Sequence, residues 1–178
     1  MLLAPARQIV RAGACFSAHR GDAHQMSSIG KVVLRKLAVP ECDSGATMPV
    51  VLADDSRMVF GYRLPQHAKH DFALFRIDLC LIHKFGYPND EALRGHRYSD
   101  AGFDYYNAYE VVGSEWIDEM NRANAVSFPG DLNAFQSSKH FIFSFHDTTL
   151  EFVCDEEPVA VTGDGYLADA AVEEFLKD

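Results

Sequence analysis

Closely spaced cysteines are missing from this chain. Cys15, Cys42, Cys80 and Cys154 form no CxxC pair, which excludes a zinc ribbon and a thioredoxin-like redox motif. Cys80 and Cys154 fall in apolar, strand-like runs, where a free cysteine acts as a small buried hydrophobe. All four suit a reducing compartment. No apolar run approaches the roughly 20 residues that a membrane-spanning helix needs, so the expectation is a soluble, cytoplasmic protein without membrane contact. No GxGxxG, P-loop, GxSxG, HExxH or EF-hand pattern is present. The sequence therefore names no nucleotide cofactor; a metal held by His83, His96, His146 and Glu151 stays open, with no ligand spacing to support it.

Basic residues are also scarce in most of the chain. Residues 1–37 hold six (Arg7, Arg11, Arg20, Lys31, Arg35 and Lys36) against one acid, Asp22, whereas the rest hold ten against twenty-five acids. An acidic body repels phosphate backbones, which argues against nucleic-acid binding. It suits a solubilising surface or a docking face for a basic partner. Residues 1–28 are basic and rich in small residues, the composition of an organellar targeting peptide or a flexible arm. Residues 29–178 read as a single β-rich globular domain.

What the chain does have is aromatic and aliphatic bulk. Apolar residues make up 48 %, with 13 Phe and 7 Tyr, enough for a core that needs no disulfide or metal. Lys31–Val39 reads as a strand ended by Pro40. Val50–Ala53 and Met58–Leu64 flank a turn at residues 54–57. Phe72–Phe85 reads as one long central strand broken by a bulge, and the GYPNDEALRG stretch as a short helical turn. Tyr105–Val112 is a strand, and Ser114 caps a helix whose first turn carries Glu115 and Asp118. Phe141–Cys154 is a hairpin, Val159–Thr162 a last strand, and the tail a closing helix. The expected fold is α+β or mainly β, an antiparallel sheet curled or closed like a barrel, with two or three short helices.

The hairpin carries the candidate chemistry. Phe141, Phe143 and Phe145 alternate with His140, Ile142, Ser144 and His146; on the return strand Leu150, Phe152 and Cys154 alternate with Glu151 and Val153. An even loop, Asp147-Thr148 or His146 through Thr149, puts the apolar residues on one face. Glu151 then lies opposite Ser144, with His146 a diagonal step away at roughly 5–8 Å between Cβ atoms. A His–carboxylate pair of this kind suits an oriented general base. The candidate catalytic group is His146, Glu151 and Ser144. His140 and His146, six residues apart, are roughly 20 Å apart on a strand and cannot share one metal. His83, His96, Tyr87 and Tyr109 are the candidate ligand-binding residues near the same opening.

The polar hairpin face has three readings: a solvated wall, a pocket lining or a catalytic surface. Ile142 and Val153 interrupt it and fit a covered face. Two functions follow. One is small-molecule binding in a sheet-lined pocket, extended to acid–base catalysis by the His/Glu pair. The other is an acidic protein-interaction module, self-associating or docking a protein partner. A concave site with buried Glu151 favours the first, and a flat exposed face the second.

Overall fold

Alternating apolar residues and short turns build two antiparallel sheets. The computed structural model describes residues 32–177; the 1–28 segment and Cys15 lie outside them. Along the chain come β1 (Val33–Lys36), β2 (Val50–Ala53), β3 (Arg57–Arg63), β4 (Phe72–Asp78) and β5 (Ile82–Gly86). Two 3-10 turns (Asp90–Gly95 and Ser99–Ala101) precede β6 (Ala108–Val112) and helix α1 (Glu115–Ser127). β7 (Lys139–Ser144), β8 (Thr149–Cys154), β9 (Ala160–Gly163) and α2 (Leu167–Phe175) complete it. Among the described residues one sheet has the order β1-β6-β7-β8-β5 and the other β2-β3-β4-β9. The chain is β-rich and antiparallel, as its pattern implies, but the two sheets remain separate and are not closed into a barrel.

The core lies between the sheets. Phe60, Tyr62 and Phe75 of the four-stranded sheet meet Phe141, Phe143, Leu150 and Phe152 of the other. Phe60 and Phe75 stack at 4.6 Å between centroids, and Phe143 presents an edge to both, at 5.0 and 5.6 Å. Such pairs add about 0.5–1.5 kcal/mol each beyond area burial.

Both outer faces are covered as well. Leu167 and Ala171 of α2 lie on Val59, Phe72 and Leu74. The close approach depends on Gly61, where a Cβ would stand 2.7 Å from both the Ala73 carbonyl oxygen and Leu167 Cδ1. On the five-stranded sheet, Leu93, Tyr98 and Phe103 from the 3-10 segment cover Tyr109, Val111 and Ile142. β7 and β8 are therefore buried on both faces, although their sequence alternates like that of a half-wet strand.

Two sequence expectations change. The Phe72–Phe85 run is two strands in different sheets; Leu79 takes a left-handed φ of 56° where the chain leaves β4 for β5. The hairpin pairs Ile142 with Glu151 and Ser144 with Thr149. Its closing bond is Phe145 N–H to the Thr148 carbonyl, 2.8 Å. The loop is even and the facial parity holds, but the tight turn is His146-Asp147, so the register moves two residues along.

Candidate functional site

That register determines the neighbours of Glu151. Lys84 on β5 and Ile142 on β7 lie directly opposite it, and His140 and Ser144 take the two diagonal positions on β7. The 3-10 segment crosses above and brings His96 and Arg97 down onto the same carboxylate. Gly113, at φ 75°, reverses the chain after β6 so that Ser114 caps α1, its oxygen accepting from Ile117 N–H. The same hydroxyl stands 2.7 Å from His140 Nδ1.

Four nitrogens surround the Glu151 side chain, which is 1 % exposed. His96 Nε2 (3.5 Å) and Lys84 Nζ (3.6 Å) face Oε1. Arg97 donates to Oε2 at 3.3 Å, where His140 Nε2 also stands at 3.3 Å. The His140 N–H is poorly aimed and makes no full hydrogen bond. Burial alone would raise the carboxyl pKa. The contacts from His140 and His96 and the Arg97 charge outweigh it, holding Glu151 well below the usual carboxylate range.

Burial pushes the His140 imidazole down, partly countered by Glu151, so the ring is neutral at pH 7. The hydrogen-bond network assigns both tautomers. The Glu151 carboxylate can only accept, so the His140 proton belongs on Nε2 facing it and the Ser114 hydroxyl donates to Nδ1; Tyr98 N–H donates to His96 Nδ1 at 3.3 Å. Each ring then carries its proton on Nε2, toward Glu151. Arg97 lies over the Tyr98 ring at 4.9 Å, and Trp116 of α1 meets the His140 ring edge-on at 5.2 Å.

Above this centre a cleft of about 490 Å³ opens, with Glu151 and His96 in its floor and Lys84, Arg97, Trp116 and Glu119 around it. Tyr87, 74 % exposed, stands at its rim. Among the described residues no group of three His, Cys, Asp or Glu side chains is placed to hold a metal ion.

Of the residues picked from sequence, Glu151, His96 and Tyr87 share this cleft. The His146–Glu151 pair does not form: His146 is in the turn, its Nδ1 3.1 Å from Asp147 Oδ1, and the two-residue register shift puts Ser144 in the diagonal place expected of His146, with His140 on the other diagonal. Ser144 Oγ accepts from Asn107 N–H (3.0 Å) and lies 2.8 Å from the Asp104 carbonyl, so it braces backbone. His83 pairs with Phe152, on the opposite face from Lys84, and is exposed. Tyr109 is buried against Phe103. Sequence reasoning missed His140, Lys84, Arg97 and Ser114 as members of the site. The parity of His140 with Glu151 was the available signal; the β5–β8 pairing that brings Lys84 in has no local one.

No protein family, no curated protein and no solved structure matches the chain.

Proposed function

We propose that the chain binds a small anionic molecule in the cleft above Glu151. One observation carries the reading. Arg97 and Lys84 are both held by a buried carboxylate, yet remain 40 % and 61 % exposed, and both line the same concave site. A guanidinium has five N–H donors and an ammonium three; the contacts to Glu151 leave most of them for a ligand. The stack of Arg97 on Tyr98 holds the guanidinium in place before a ligand arrives, which lowers the ordering cost of binding. The indole of Trp116 supplies an apolar wall, the mix usual in small-molecule sites.

Binding fits better than acid–base catalysis at Glu151. A general base near neutral pH needs a raised carboxyl pKa and an open approach. Glu151 is shifted the other way and has two nitrogens at each oxygen. Each histidine has its Nδ1 lone pair occupied and its Nε2 proton directed at Glu151. Concavity and the burial of Glu151 likewise favour a ligand over a flat protein-docking face.

Trp116 is the only tryptophan, so its fluorescence reports on this cleft. Titration with inorganic phosphate, benzoate and phenyl phosphate is expected to give a saturable change with at least one of them. Arg97→Ala is expected to weaken that binding by about tenfold, equivalent to 1.4 kcal/mol, with the fold retained. No saturable change up to millimolar concentrations of any of the three, or equal binding by Arg97→Ala and Lys84→Ala, would overturn the reading.

A further inference from the structure

A second cavity, independent of the Glu151 cleft, lies between the two sheets at the end where the β1–β2 connection crosses. Its volume is about 470 Å³, far larger than the voids a packed core leaves and within the range of small-molecule sites. Rings form its inner walls: Tyr62, Phe143 and Phe145, each at most 2 % exposed. Leu37 and Cys42, also buried, close the side made by the β1–β2 connection. Ser144, whose hydroxyl is engaged by backbone, lies in the lining too.

The mouth differs in character. It carries Lys36 and Glu41, both exposed, and neither makes an ion pair among the described residues. Tyr106, also in the lining, adopts a left-handed φ of 54°, a conformation costly for a bulky side chain. Its hydroxyl is fastened to Asp90 Oδ2 at 2.6 Å.

From these features the geometry points to a second ligand site that takes a flat apolar ring system with an uncharged, carboxamide-type head. The ring body replaces water against Val39, Pro40, Tyr105 and Tyr106, the partly exposed apolar members of the lining, with the buried rings behind them, where apolar contact is favourable. At the mouth stand one cationic donor and one anionic acceptor. A carboxylate head would meet Lys36 but oppose Glu41, and an ammonium head the reverse. A carboxamide accepts from Lys36 and donates to Glu41, and so uses both.

The probe is 2-naphthamide, followed by backbone amide NMR of the full chain, with 2-naphthoate as the charged comparison. Saturable shifts are expected at Val39, Asn107 and Phe143, with the Trp116 indole signal unmoved, and tighter binding than for 2-naphthoate. Val39→Trp, which fills the mouth, is expected to weaken binding at least about tenfold. The Lys36→Ala/Glu41→Ala double variant, which changes only exposed side chains, is expected to weaken it about threefold or more and to remove the preference over 2-naphthoate. Arg97→Ala leaves it unchanged. Absence of saturable shifts at the solubility limit overturns the proposal. So does binding that moves Trp116 and is lost in Arg97→Ala, or binding that neither mouth variant affects.

Discussion

Replacing Glu151 by Gln keeps the shape of the side chain and removes its charge. The four surrounding nitrogens then face an amide with one accepting oxygen and one donating nitrogen. Whichever way the amide turns, its NH2 confronts one histidine N–H and one cation. Arg97 and Lys84 are 40 % and 61 % exposed and recover hydration, so little of the cost arises there. His96 and His140 have side chains 5 % and 0 % exposed and cannot. The histidine opposed by the NH2 is left as a buried donor facing a donor, which costs about 1–3 kcal/mol, and weakening the other contact adds about 1 kcal/mol. The expected loss is about 3 kcal/mol. Urea unfolding at pH 7 followed by circular dichroism would show a lower midpoint at unchanged slope. The melting temperature would fall by about 6–12 °C. A loss below about 0.5 kcal/mol, the size of a neutral surface substitution, would refute the reasoning.

Three further outcomes follow from the same contacts. Ser114→Ala removes the α1 cap and the donor to His140 Nδ1, and is expected to cost about 1–2 kcal/mol in urea unfolding; a helix end alone would not also disturb the His140 tautomer seen by ¹⁵N NMR. His140 has its pKa lowered in the fold, so the unfolded chain binds the extra proton. Stability should therefore decline as pH falls below about 6.5. Glu151 is also lowered, and its contribution, complete above about 4.3, is lost as pH falls further. The urea midpoint should thus drop in two stages on acidification, the second reduced in Glu151→Gln, where Asp43, Asp54 and Asp90, also lowered in the fold, still contribute. Gly61→Ala drives a methyl into the Ala73 carbonyl and Leu167 and should cost about 1–3 kcal/mol, measured by thermal unfolding.

The β-rich fold was legible because period-two alternation is a local property of β3, β7 and β8. The split of Phe72–Phe85 was not, because nothing in FRIDLCLIH marks Leu79 as left-handed; only the requirement to enter the second sheet does. Facial parity in the hairpin could be read from Phe141, Phe143, Phe145, Leu150 and Phe152, yet any even turn satisfies it, and the one formed is neither Asp147-Thr148 nor His146 through Thr149. The choice of His146-Asp147 rests on long-range contacts: Asp90 N–H donates to the His146 carbonyl at 2.9 Å, and His146 N–H approaches Thr47 Oγ1 at 3.4 Å. Glu151 stood out from its neighbours as a carboxylate on a strand face interrupted by Ile142 and Val153. Its partners Arg97 and Lys84 come from segments more than 50 residues away in sequence, and no local pattern announces them.

The most direct test of the central claim, that His96 and His140 rather than His146 attend Glu151, is long-range ¹H–¹⁵N NMR of the imidazoles in the native protein and in Glu151→Gln. The account predicts His96 and His140 in the Nε2–H tautomer at pH 7, with both sets of ring signals displaced by the substitution and those of His146 unchanged. Displacement of His146 with His140 unmoved would contradict it.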